Sequence, residues 1–212
     1  MREATLAGRQ PRAESDEPRL AAALAAFDRA NAADPQLDET AEGAQPKALM
    51  YGRRMSACLA QLYPTASPEL RLAARAQHIE RWRIPRNSYP AGRVGYLTWR
   101  RDLKAYHAQR AAEILGPLGF EEASIARVGA LLRKERLKQD PESQALEDVA
   151  CLVFLRYEFA AFAETQDAGK MVDILRKTWG KMSDRGREAA LALPLEGPAL
   201  NLVQEAVSGA AA

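Results

Sequence analysis

A chain of 212 residues, 47% of them apolar, suits one globular domain with a real core, and a net charge of +2 is too small to mark a nucleic-acid protein by itself. No apolar run reaches the roughly 18 residues of a membrane span and no charged, apolar, small-residue pattern marks a signal peptide, so the expected location is the cytoplasm. Cys58 and Cys151 lie far apart in apolar helical patterns, which excludes a disulfide framework and a zinc spacing and suits two small core residues in a reducing compartment.

Residues 1–18 are rich in Arg, Ala, Gly and Glu without apolar periodicity, and disorder is expected there. Leu20, Leu24 and Phe27 share one face of a helix over 20–31, which Asp34-Pro35 stops. A loop over 34–45 precedes a helix over 46–63, where Tyr51, Met55, Cys58, Leu59 and Leu62 form one buried stripe. Ser67-Pro68 opens the next helix with a serine cap and a proline in the first turn, and it runs to about Trp82. Pro85 and Pro90 force a loop over 84–92. A long helix over 94–115 is broken by Gly116-Pro117, and another spans 121–135. Asp140 caps a helix that continues to about Phe162. Its middle, 149–155, is apolar almost all round and belongs at the centre of a bundle. Shorter helices over 167–182, 184–193 and 198–207 complete a single domain over 19–208, with residues 209–212 frayed. No stretch alternates convincingly with period two. The expected class is all-α, one irregular helical bundle.

Charge is unevenly spread. Residues 71–110 hold ten Arg or Lys against two acids, Glu80 and Asp102, whereas residues 111–170 hold seven basic against eleven acidic residues. The asymmetry fits a site that handles an anion near a carboxylate cluster, and equally a mixed solvated surface. The stretch AARAQHIERWRIPRNSYP, 73–90, sharpens the question. His78 stands near a helix end, followed by a basic, aromatic loop. Arg81, Arg86, Arg93 and Arg100 lie in or beside it, with Tyr89, Trp82 and Trp99. Guanidinium forks hold phosphate or carboxylate bidentately and rings stack on bases, but the same residues also suit a loop pinned by ion pairs.

His107 shares a helix face with Leu103, Ala111 and Ile114 and points inward, as a core imidazole or as a ligand. Glu147 and Asp148 open onto the most apolar helix, where a buried carboxylate costs several kcal/mol unless a cation or metal pairs with it. Lys177 and Lys181 end a later helix, where they favour its dipole or reach a phosphate. No glycine-rich phosphate loop and no Gly-x-Ser-x-Gly elbow occurs.

The strings DRANAADP, YGRRM, AARAQHIERWRIPRNSYP, GYLTWRRDLKAYHA, DPESQALEDVACLVFL and KTWGKMS together resemble the domain of unknown function 4202 family over about residues 20–207. The order of elements is also similar, more distantly, to the HD superfamily of helical metal-dependent phosphohydrolases. In that superfamily histidines, a His-Asp pair and a last aspartate hold a divalent metal that activates water against a phosphoester. The resemblance implies an HD-like fold. It sets Tyr51 near the first-histidine position, Gln77-His78 on the His-Asp pair, His107 on an additional-histidine position and Asp148 on the last aspartate. The pair's carboxylate is thereby lost.

What the resemblance implies is a divalent metal (Mn, Fe or Zn) on His78, His107 and Asp148, with Glu147 or Glu80 as the general base. Arg81, Arg86, Arg93, Arg100, Tyr89, Lys177 and Lys181 would then surround a phosphorylated small molecule, a nucleotide. Three functions stay open. They are hydrolysis of a phosphoester, ligand binding or regulation on a scaffold that has lost that chemistry, and RNA binding through the basic, aromatic segment, which the small net charge disfavours.

Overall fold

The computed structural model describes residues 13–164, 168–195 and 200–203, so the disorder expected of residues 1–12 and the chain after 203 lie outside the described residues. Helix α1 (Ala13–Asn31) begins ahead of the expected residue 20 and takes in Pro18. It ends on Asn31, a buried side chain whose Oδ1 accepts the backbone N–H of Glu80 at 2.9 Å. Asp34 then ties the start of α2 (Lys47–Leu62) to this corner. Its Oδ1 accepts from the Gln36 N–H at 2.9 Å and its Oδ2 from the Ala48 N–H at 2.9 Å. A carboxylate from across the loop thus satisfies a first-turn donor of α2 and meets the positive end of its dipole.

Between them lies a small hairpin where the sequence suggested only a loop. Strands β1 (Leu37–Thr40) and β2 (Gly43–Pro46) pair antiparallel from Leu37↔Pro46 to Thr40↔Gly43. No hydrophobic alternation announces it, because turn chemistry closes it. Thr40 Oγ1 donates to the Gly43 carbonyl at 2.8 Å, and Gly43 takes φ +96°, where a side chain would be strained.

Helix α3 (Pro68–Ala76) is capped as expected, the Leu70 N–H donating to Ser67 Oγ at 3.1 Å. It stops at Ala76, not near Trp82. Glu80 adopts the left-handed conformation (φ 48°), and two short 3₁₀ turns, Arg81–Arg83 and Arg86–Ser88, lead into α4 (Gly92–Leu115). Helix α5 (Glu122–Arg133) ends on a second left-handed residue, Lys134 (φ 58°). Helix α6 (Pro141–Val153) is capped by Asp140, whose Oδ1 accepts from the N–H groups of Glu142 and Ser143 at 3.0 and 3.4 Å. A π-helical turn, Phe154–Glu158, follows, then α7 (Phe159–Glu164), α8 (Ala168–Trp179) and α9 (Asp184–Leu191).

The molecule is an all-α bundle, and α6 divides its core. The first half of α6 (Leu146, Val149) packs with Phe27, Met55, Leu72, Leu115 and Leu131 from α1–α5. The second half (Cys151, Leu152) and the π turn pack with Phe159, Met171, Leu175 and Met182. Both cysteines are free, and burial pushes their thiols up, Cys58 to about 11 and Cys151 to about 12. Among the described residues no helix is long and apolar enough to cross a membrane.

Candidate functional site

Where α2, the end of α3, the 81–89 turns, α4 and the π turn meet, they enclose a cavity of about 870 Å³. Tyr51, His78, Arg81, Trp82, Trp99 and Glu158 are among its walls. The buried stripe of α2 turns Tyr51 inward. Its ring lies flat on His78, with centroids 4.0 Å apart and planes 17° from parallel. The left-handed Glu80 reverses the chain just past His78 and brings Arg81 back beside it, Nη1 to Nε2 at 3.3 Å. A guanidinium only donates, so His78 Nε2 accepts and Nδ1 carries the proton. The Arg81 guanidinium also lies over the Trp99 ring, 4.7 Å from its centroid. Trp99 Nε1 in turn donates to the Ile84 carbonyl at 2.8 Å and fixes the turn.

His107 of α4 stands behind His78, ring centroids 6.0 Å apart. Its Nδ1 is 2.8 Å from the Ile79 carbonyl, an acceptor only, so Nδ1–H donates. Nε2 is then a bare acceptor, buried and without a hydrogen-bond partner among the described residues. Burial holds both imidazoles in the neutral form. It drives His78 well below its ordinary range, with Arg81 and His107 adding to the effect. It takes His107 down to about 3, reinforced by Arg81 and opposed by the Ile79 carbonyl.

The other expected residues divide into walls and struts. Arg86 and Tyr89 line the cavity. Arg86 donates to the Tyr89 and Pro90 carbonyls, each at 3.0 Å, and Tyr89 donates to Asp102 at 3.1 Å. Arg100 bonds Tyr96 Oη at 3.2 Å, Arg93 is exposed on the first turn of α4, and Lys177 is exposed on α8. None of these three is a cavity wall. Glu80 is buried and taken up by Tyr106 Oη at 2.7 Å, Arg83 Nε at 3.0 Å and Arg110 Nε at 3.1 Å, which makes it a strut for the chain reversal. Glu147 is buried against the Lys134 ammonium, with Lys181 Nζ 3.9 Å from its other oxygen. Burial alone would raise the Glu147 carboxyl, but Lys134 outweighs it and holds the group below its ordinary range.

Asp148 serves the far side of α6. Its Oδ1 accepts from the Ser183 N–H at 2.8 Å and Gln144 Nε2 at 3.0 Å, and its Oδ2 from Tyr63 Oη at 2.7 Å and from the Ser183 hydroxyl. It is fully buried and is not a wall of the cavity. The divalent-metal set implied by the HD resemblance is therefore not assembled. Asp148 is bonded to the start of α9 and His78 Nε2 to Arg81, whereas His107 keeps its Nε2 open, and no group of three or more His, Cys, Asp or Glu among the described residues is placed to hold a metal ion.

Among the walls that the sequence reading did not single out as site residues are Tyr51 and Glu158. Tyr51 read as part of the buried α2 stripe, near a histidine position of the resemblance, and it stacks on His78. Glu158 carries a carboxyl into the cavity from the π turn, and burial raises it above its ordinary range. A lone acid between Phe154-Leu155 and Phe159-Ala160-Ala161-Phe162 was the unread signal for it.

Comparison with curated proteins and with solved structures finds no match. A family model does match, over residues 21–203, which is nearly all of the folded domain, and the chain belongs to the family described as a domain of unknown function (DUF4202).

Proposed function

We propose that this chain binds a phosphorylated small molecule, a nucleotide, in the cavity at His78, on a scaffold similar to an HD domain but without its metal set. The observation that carries this reading is Arg81. Its guanidinium is half-buried between Trp99 and His78, and no ion pair with a carboxylate is formed by it among the described residues. Burying a cation that no carboxylate bonds directly is costly, the Glu158 charge offsetting it only in part, and an incoming anion lowers that cost. Arg86, bonded among the described residues to two carbonyls and to no carboxylate, adds a second cationic charge at the same cavity. Trp82, Tyr89 and the Tyr51–His78 stack supply ring surface for a base.

The reading is of binding without turnover, since Asp148, the carboxylate the resemblance sets on the metal, is spent on Ser183. Thermal unfolding with mono- and diphosphate nucleotides in chelator-treated buffer tests it. A nucleotide at about 100 times its Kd adds about 2.7 kcal/mol, which raises the midpoint by roughly 5–10 °C in a domain of this size. Arg81→Met removes the rise. No rise with any nucleotide overturns the reading, and metal-dependent release of phosphate overturns its non-catalytic part.

A further inference from the structure

Glu158 is the one acidic wall of the cavity that the fold does not use. Asp34 holds the start of α2 and Asp38 bonds Arg54 at 2.7 Å, whereas Glu158 makes no hydrogen bond among the described residues. It is placed by the π turn. In an unbroken α-helix a residue eleven positions after Glu147 falls within about 20° of it, on the line that Glu147 gives to Lys134. The wide turn Phe154–Glu158, closed by the Phe159 N–H on the Phe154 carbonyl, shifts Glu158 off that line to the cavity. Its charged surroundings are Lys47, Arg81 and Arg54, which attract it, and Asp38, which does not. Tyr51, another wall of the cavity, has its hydroxyl pushed up by burial and by the Glu158 charge.

A carboxylate offers two parallel acceptors and no donor. Beside ring surface and two guanidinium groups that form no ion pair among the described residues, it suits a base that presents two parallel N–H donors. Guanine has that edge, in its N1–H and 2-amino group. Adenine presents a donor next to an acceptor, and the pyrimidines present no parallel pair of donors. Resting on the nucleotide reading above, we propose that Glu158 is the specificity-determining residue of this cavity and that its ligand is a guanine nucleotide, the base paired to the Glu158 carboxylate and the phosphates directed to Arg81 and Arg86.

The test is calorimetric titration of the full chain with GMP, GDP, AMP and ADP in chelator-treated buffer, alongside Glu158→Gln. The wild type should bind guanine nucleotides at least about 10-fold more tightly than adenine nucleotides, since an unmet donor pair is discriminated at that level or above. Glu158→Gln, which turns one acceptor into a donor, should bring the two classes within a few-fold of each other while leaving the unfolding midpoint of the free protein in place. Equal binding of guanine and adenine nucleotides by the wild type, as a carboxylate on the ribose hydroxyls would give, overturns this proposal and leaves the nucleotide reading standing. A guanine preference that survives Glu158→Gln overturns it too. Binding of no nucleotide overturns both.

Discussion

Tyr51 lies face to face with His78, 4.0 Å between ring centroids, and each ring is the other's wall against solvent on the inner side of the cavity. Tyr51 comes from α2 and His78 from the turn after α3, and the Glu80 reversal brings Arg81 back beside His78. Tyr51→Phe should keep the stack and cost less than about 1.5 kcal/mol, as conservative swaps in cores do. Tyr51→Ala should cost about 3–5 kcal/mol, as the loss of a buried aromatic does. Urea unfolding of both variants measures the difference. Equal stabilities would mean that the ring does not carry the wall.

His107 links stability to pH. Its folded-state pKa of about 3 lies below the ordinary 6.5, so the unfolded chain takes up a proton that the folded chain refuses. The contribution is complete above pH 6.5 and is lost as pH falls from there toward 3. At pH 5 the loss is about 2 kcal/mol for this one group, and His78, displaced in the same direction, adds to it. His107→Gln should therefore flatten the fall in stability between pH 7 and pH 5 by about that amount. An unchanged slope would show that the imidazole titrates normally in the folded protein.

Lys134 and Glu147 form a buried ion pair, the lysine 13% and the glutamate 6% exposed. Lys134→Met should cost about 3–5 kcal/mol, because it strands a carboxylate with only the more distant Lys181. Lys134→Met combined with Glu147→Leu should recover most of that loss, since the stranded charge goes with it. A double-mutant cycle from urea unfolding gives the coupling directly.

Asp148 holds α9 from beneath, and Gly186 exists to let it do so. A Cβ on residue 186 would stand 2.7 Å from the Asp148 carboxylate carbon. Gly186→Ala should cost about 1–3 kcal/mol by overpacking against a side chain that four hydrogen bonds keep from yielding. Asp148→Ala should cost about 3 kcal/mol or more by leaving the Ser183 N–H and the Tyr63 hydroxyl unmatched. A chelator should leave the wild-type midpoint unchanged. A chelator-dependent fall would return a metal to the account.

The caps and stripes were legible because they are local. Ser67 and Asp140 close their helices as their side chains dictate, and Met55 and Leu59 of the α2 stripe are fully buried. Of the basic, aromatic loop, Arg81, Arg86 and Tyr89 line the cavity. What stayed hidden depends on distance in the chain or on a conformation no residue type signals. Asp148 reads as a stranded acid until Ser183, 35 residues on, supplies its donors. Nothing about a glutamate announces φ 48°, so the tie of Glu80 to Tyr106 under a chain reversal could not be read from the sequence. The residues of the π turn carry ordinary helical apolar spacing, and only the backbone shows the wider winding.

That wider winding makes chain length an exact quantity at one point of the molecule. Taking out a residue between Phe154 and Glu158 would let α6 and α7 run on as one regular helix. Everything after the deletion would rotate by about 100° about the axis. Phe159 would swing away from Met171 and Leu175, and the cavity would lose its acidic wall in the same movement. Relatives of this chain should therefore vary in length at turns such as 41–42 and hold their count between the two halves of the core.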